Sequence, residues 1–118
     1  MPWTTPSIIS PELNKNVASS EVRKLSYRDA IFEAQKQLLS IDNKVYLLGE
    51  GIDDKSGVFG TTIGLAEQFG TERVVDTPLA ENGMTVIAIG TAITGMKPVF
   101  IHMRPDFLII ALDQLLNH

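Results

Sequence analysis

Asp76-Thr77-Pro78-Leu79-Ala80-Glu81-Asn82-Gly83 is the stretch on which the fold turns. Before it stands a short apolar run, Arg73-Val74-Val75-Asp76, of strand character. After it, residues 82–95 carry small and aliphatic side chains and no charge, a pattern that predicts a helix. Proline has a fixed φ and no N–H, so Pro78 closes the strand and makes the turn. Glu81 then stands where the helix opens. A carboxylate there is favoured by the helix dipole by about 0.3–1 kcal/mol. The same place lies beyond the carboxyl end of a strand, where open α/β sheets bind ligands. Spacing alone leaves both readings of Glu81 open, a dipole-stabilised acid or a catalytic one.

Working outward, two further strands are predicted. Val45-Tyr46-Leu47-Leu48 is wholly apolar and ends at Gly49-Glu50-Gly51. Pro98-Val99-Phe100-Ile101-His102-Met103 runs into the turn Arg104-Pro105-Asp106. Short strands without polar alternation, lying between helices, indicate a parallel sheet covered on both faces. Ser26-Tyr27-Arg28-Asp29 has the form of a capping box. It opens an amphipathic helix over 27–39, with Tyr27, Ile31, Ala34 and Leu38 on the apolar face and Arg28, Glu33, Lys36 and Gln37 turned away. A glycine-containing loop covers 51–60, and a helix is predicted over 61–69, stopped by Gly70. The uncharged 82–95 helix predicts burial on every side. Its Gly83 and Gly90 each cost about 1 kcal/mol against alanine, to be offset by close approach of a backbone or a cofactor, or by packing on the sheet. From Phe107 the apolar spacing is again helical, and the pattern breaks off at His118 without a cap, as a truncated helix would. The order helix, strand, helix, strand, helix, strand, helix is that of an α/β domain with a parallel sheet flanked by helices. Residues 1–25, interrupted by Pro2, Pro6 and Pro11, read as an irregular tail, either a poorly ordered terminus, the favoured reading, or one with Trp3 or Ile8-Ile9 docked on a neighbour; residues 26–118 read as the domain.

Composition narrows the function. With 118 residues, a net charge of −4 and no dense Lys/Arg cluster, the chain is one domain or part of one, and nucleic acid is not an expected partner. The lack of cysteine excludes disulfides, thiolate catalysis and cysteine metal sites. His102 and His118 have no ligand-like neighbours in sequence, so no metal site is expected. No apolar run is long enough to span a membrane, and Met1–Pro6 lacks the features of a secretion signal, so a cytoplasmic location is expected. There is no P-loop, no G-x-G-x-x-G opening a helix, and no G-x-S-x-G. What remains is Glu50 and Glu81, each at a strand's carboxyl end, with Met103, Arg104 and Phe107 after the third strand. Each has a plain structural reading. Glu50 is a solvated loop acid, Met103 and Phe107 are core, Arg104 is a surface charge, and His102 is a packed or hydrogen-bonded strand residue.

Five blocks change that balance. Leu25-Ser26-Tyr27-Arg28-Asp29-Ala30, Val45-Tyr46-Leu47-Leu48-Gly49-Glu50, Gly57–Leu65, Arg73–Glu81 and Ala111-Leu112-Asp113-Gln114 occur in the order seen in one family. Residues 25–118 resemble the N-terminal part of the beta subunit of thiamine-diphosphate-dependent 2-oxoacid dehydrogenases, among them the pyruvate, branched-chain 2-oxoacid and acetoin dehydrogenases. The resemblance implies a partial transketolase-like pyrimidine-binding domain. It implies that Glu81 is the cofactor-activating glutamate, hydrogen-bonded to a ring nitrogen of the aminopyrimidine, in a dry pocket that lets a proton be shared. By the same resemblance Glu50, Leu79, Ala80, Met103 and Phe107 border the cofactor. The cofactor is thiamine diphosphate, with magnesium and the diphosphate held by an alpha subunit. The implied reaction is oxidative decarboxylation of a 2-oxoacid with transfer to lipoyl, an oxidoreduction at the oxo group with a disulfide acceptor. Implied partners are that alpha subunit, in an alpha2beta2-type hetero-oligomer or a homodimer when alone, and a lipoyl-bearing acyltransferase.

Arg104 and Pro105 depart from the resemblance, since family members commonly carry small or aromatic residues there. Arg104 either pairs with a substrate carboxylate or is simply exposed. The family's beta subunit continues well past this length, so the chain alone is expected to supply one wall of an active site and to be catalytically silent. Two other readings stand beside this one: a non-catalytic interaction module of the same fold, and a transketolase or deoxyxylulose phosphate synthase relative.

Overall fold

A computed structural model describes residues 24–117. The expectations for Trp3 and Ile8-Ile9 lie outside the described residues. The chain forms helix α1 (Tyr27–Ile41), strand β1 (Val45–Gly49), helix α2 (Leu65–Phe69), strand β2 (Val74–Asp76), helix α3 (Glu81–Ile93) and strand β3 (Lys97–Ile101). A 3-10 helix (Pro105–Ala111) and helix α4 (Leu112–Asn117) complete it. The three strands are parallel in the order β2-β1-β3. Gly49 is in register with both Asp76 and Ile101, so all three strands end at one level.

The layers follow from side-chain alternation along each strand. Val45 and Leu47 of β1 join Val74 of β2, Leu39 of α1, Leu65 of α2 and the loop residues Ile52 and Val58 in one buried cluster. Val99, Ile101 and Met103 pack against the same cluster. The opposite face of the sheet meets α3: the Tyr46 hydroxyl lies 2.6 Å from Thr91 Oγ1, and Pro98, Phe100 and His102 face Thr85, Ala88, Ile89 and Ala92. The result is the expected α/β arrangement, a sheet covered on both faces. At its amino end the Arg73 guanidinium donates to the carbonyls of Asp42 and Val45, both at 2.7 Å, tying β2 to the α1–β1 turn.

Five local expectations are corrected. In α1 the Ser26 side chain accepts the Asp29 N–H at 3.1 Å as expected, but the Asp29 carboxylate takes the Ser26 hydroxyl and Arg28 rather than a backbone N–H. These bonds, the serine's first, hold Asp29 below the usual carboxylate range. The core face of α1 is Phe32, Gln35 and Leu39; Tyr27, on the expected face, is 85% exposed. Two apolar stripes share this helix, and the sheet takes the one that carries Phe32. Helix α2 begins only at Leu65, because Gly60 and Gly64 adopt left-handed φ values of 81° and 71° that break the helix before it. Gly70 ends it as predicted, donating to Ala66 at 2.9 Å. In α3 only Thr85 and Ala88 are fully buried, while Val86, Ile87 and Ile93 are exposed. A Cβ built at Gly90 meets nothing within 4 Å, and one at Gly83 only the Ala80 Cβ at 4.0 Å. The helix therefore lies with one face to a narrow sheet and a flank against the 3-10 helix and α4, and no backbone approaches its glycines among the described residues. After Asp106 the chain is 3-10 helix before it becomes α.

The tightest point of the sheet is Gly49, where a Cβ would stand 2.6 Å from the Ile101 carbonyl oxygen. Backbone, unlike a flexible side chain, cannot step aside. Gly49→Ala is expected to lower the midpoint of urea unfolding by the equivalent of about 1–3 kcal/mol, as overpacking does, with the slope of the transition unchanged.

Candidate functional site

The even ending of the strands sets three loops side by side. Past β1, the Gly51 N–H donates to Asp76 Oδ1 at 2.7 Å. Past β2, the Thr77 N–H donates to the Gly49 carbonyl at 3.1 Å, and Thr77 is buried. These bonds carry the β1–β2 ladder one step beyond the strands and hold the Glu50 turn against the Pro78 turn. Helix α3 begins directly afterwards, with Ala80 at its cap (φ −158°, ψ 67°) and no side-chain capping bond. Glu81 is its first residue, so its carboxyl belongs to the positive end of the helix dipole. The Thr85 hydroxyl donates to the Glu81 carbonyl at 2.7 Å, steadying this first turn.

A small cleft opens at this edge. It brings together Glu50, Leu79, Ala80, Glu81 and Met103, five of the six residues that the resemblance sets beside the cofactor. Glu50 and Glu81 are half-buried, and Leu79 is 68% exposed. The sixth, Phe107, does not line the cleft. It lies half-buried on the 3-10 helix, with the Arg104 guanidinium 4.6 Å from its ring centroid. Arg104 itself is exposed and grips Asp106 with two bonds, of 2.8 and 3.1 Å. The plain readings of Arg104 as a surface charge and of Met103 as a side chain packed on the core both describe what is seen.

The cleft also contains His102, which the sequence reading treated as a strand residue. The signal that finds it is the alternation of β3, which sets Phe100 and His102 on the α3 side, together with its position just past the strand's end. Its ring packs on Phe100 with centroids 4.1 Å apart. Burial holds its pKa below the ordinary value, and the nearby Glu81 carboxylate opposes that shift more weakly.

The arrangement is two carboxyls in a small cleft with apolar walls, one of them at a helix N-terminus and one histidine beside them. Such a set accepts N–H bonds and holds or lends a proton at a fixed place. Among the described residues no group of three His, Asp or Glu side chains converges to hold a metal ion, and no helix is long and apolar enough to cross a membrane.

Comparison with known proteins agrees with this geometry. The chain is 45% identical over 93 residues to the 2-oxoisovalerate dehydrogenase subunit beta of Bacillus subtilis, covering 79% of this chain and 28% of that protein. It is 40% identical over 98 residues to the mitochondrial pyruvate dehydrogenase E1 component subunit beta of Pisum sativum, covering 83% and 27%. With the pyruvate dehydrogenase E1 component subunit beta of Rhizobium meliloti the identity is 33% over 100 residues, covering 85% and 22%. The chain thus spans 22–28% of the length of these three relatives. Residues 23–118 match the transketolase pyrimidine-binding domain, and with a match of that extent the chain belongs to this family.

Proposed function

We propose that this chain forms the pyrimidine-binding wall of a thiamine-diphosphate-dependent 2-oxoacid dehydrogenase, as part of an E1 beta subunit that works with an alpha subunit. The observation that carries the reading is the position of Glu81: the first residue of α3, in one cleft with Glu50, where three parallel strands end. The relatives' names support the enzyme class.

The donor set of the cleft fits an aminopyrimidine. A flat ring with one amino group and ring nitrogens needs carboxyl oxygens at its edge and apolar atoms on its faces. Glu50 and Glu81 supply the first, and Leu79 and Met103 the second. Glu81 would share a proton with a ring nitrogen, and the backbone at Leu79 and Ala80 would border the ring's edge. When bound, the cofactor supplies the electron sink for loss of carbon dioxide from a 2-oxoacid. Holding it in the right tautomer is the task of this chain; the diphosphate and magnesium fall to the alpha subunit, and the acyl group goes on to a lipoyl-bearing acyltransferase, an oxidoreduction with a disulfide acceptor. The half-buried setting of Glu81 suits a wall that another subunit completes.

Two outcomes test this reading in the chain co-expressed with a candidate alpha subunit. Glu81→Gln keeps the shape of the side chain and loses the transferable proton, so the decarboxylation rate is expected to fall by at least about 100-fold. Calorimetry should show thiamine diphosphate still entering the site, and an undiminished rate would remove Glu81 from the chemistry. Arg104 is already engaged by Asp106 and the Phe107 ring. Arg104→Ala is therefore expected to change the apparent affinity for 2-oxoacid by less than about threefold, the scale of an exposed ion pair. A larger loss would make Arg104 a ligand of the substrate carboxylate.

A further inference from the structure

His102 occupies the wall between two cavities. One is the Glu81 cleft; the other is an apolar pocket bounded by Thr85, Ala88 and Ile89 of α3 and by Leu108 and Leu115 beyond the strand. On the strand side its ring rests on Phe100 at 38°. Among the described residues its Nδ1 is shut off from solvent and meets no hydrogen-bond partner. An imidazolium needs an acceptor for each of two N–H groups, whereas a neutral imidazole needs one. With no acceptor at Nδ1, the form this site tolerates is the neutral ring that carries its proton on Nε2.

We propose that His102 is a positioning residue for Glu81: while neutral it leaves the Glu81 carboxyl able to share a proton with a ligand's ring nitrogen, and once charged it takes that ability away. The consequence for cofactor binding rests on the thiamine diphosphate reading above; the pairing of His102 with Glu81 does not. A cation in the cleft wall favours Glu81 as a carboxylate and repels a protonated ring nitrogen, so the shared proton is weakened at both ends.

The charged groups that bear on His102 are few. Glu81 reaches the cleft from α3 and Glu50 from the end of β1. The apolar pocket contributes none. Arg104, on the same segment, is paired with Asp106 at 2.8 Å. Burial outweighs the attraction of Glu81, so the folded-state pKa lies below the ordinary 6.5. Burial of the neutral ring therefore adds to stability above that value, and the contribution is lost as the pH falls through the folded-state pKa. At neutral pH the cleft is in its binding form, and it leaves that form on acidification.

Two measurements test this. In the complex with an alpha subunit, calorimetry with thiamine diphosphate and magnesium is run at two pH values, one above and one below the His102 pKa measured by nuclear magnetic resonance. Wild type is expected to bind about tenfold more weakly at the lower pH than His102→Phe does, after both are normalised to their affinities at the higher pH. Protonation of the diphosphate affects both proteins alike and cancels. Equal losses in the two proteins would overturn the proposal and leave the cofactor reading intact. The second measurement needs no cofactor. Nuclear magnetic resonance of the histidine-labelled chain, in which His118 is the only other histidine, should give a lower His102 pKa in Glu81→Gln than in wild type, because the opposing carboxylate has gone. An unchanged pKa would separate the two residues and end the proposal. Absence of thiamine diphosphate binding at either pH, with the pKa difference still present, would remove the cofactor reading and keep the pairing.

Discussion

Position 49 has no room for a side chain. The Ile101 carbonyl oxygen stands where a Cβ would be, at 2.6 Å, so β1 and β3 meet there backbone to backbone. That close approach is what makes the strands end together. On the other side of β1 the same residue's carbonyl accepts the Thr77 N–H, and Asp76 accepts from Gly51. One glycine and its immediate neighbours thus set the relative height of three loops, and the cleft is the space those loops leave. A side chain at this point would move Glu50, Pro78 and Met103 relative to one another without touching any of them. Side chains that act by shared protons tolerate such displacement poorly, because hydrogen-bond strength falls steeply with distance and angle.

Glu81 opens helix α3 and lines the cleft, so one carboxyl bears on both the fold and the proposed site. Ala80 at the cap of helix α3 offers no side-chain acceptor; the Gly83 N–H is met by Asn82 Oδ1 at 2.8 Å, and the first turn as a whole favours negative charge nearby. A carboxylate at the first position supplies that charge. His102 stands in the same cleft, and its burial disfavours the charged form of its ring.

What the sequence disclosed follows from which physical signals are local. The three strands were legible because Val45–Leu48, Arg73–Asp76 and Pro98–Met103 are short apolar runs bounded by turns. The placement of Glu50 and Glu81 at the sheet's carboxyl edge was legible because each follows a predicted parallel strand, while their part in binding came only from the resemblance. The rotation of α1 was not, because Tyr27-Ile31-Ala34-Leu38 and Phe32-Gln35-Leu39 are both plausible apolar stripes, and only the sheet's shape selects between them. The start of α2 was obscured by Gly60 and Gly64, whose positive φ values are a property of the turn and not of composition. His102 was not legible as a cleft residue because what sets it there, the cleft it shares with Glu81 and the α3 wall, is distant in sequence.

Helix α3 shows most plainly how far local pattern reaches. Its lack of charge suggested complete enclosure, yet burial depends on what stands opposite each face, and the sheet covers only one. Tyr46 through Thr91, and the buried Thr85 and Ala88, hold the inner face. The outer face presents Ile87, Ile93 and the bare backbone at Gly90. Two glycines in a helix interior cost about 1 kcal/mol each, and nothing among the described residues offsets that. The helix is therefore held less firmly than its hydrophobicity suggests, and its first turn carries Glu81. Any surface that packs on the outer face would stiffen the helix and with it the carboxyl at its head. Under the proposed function, that stiffening would hold the Glu81 carboxyl most firmly where a partner covers this face.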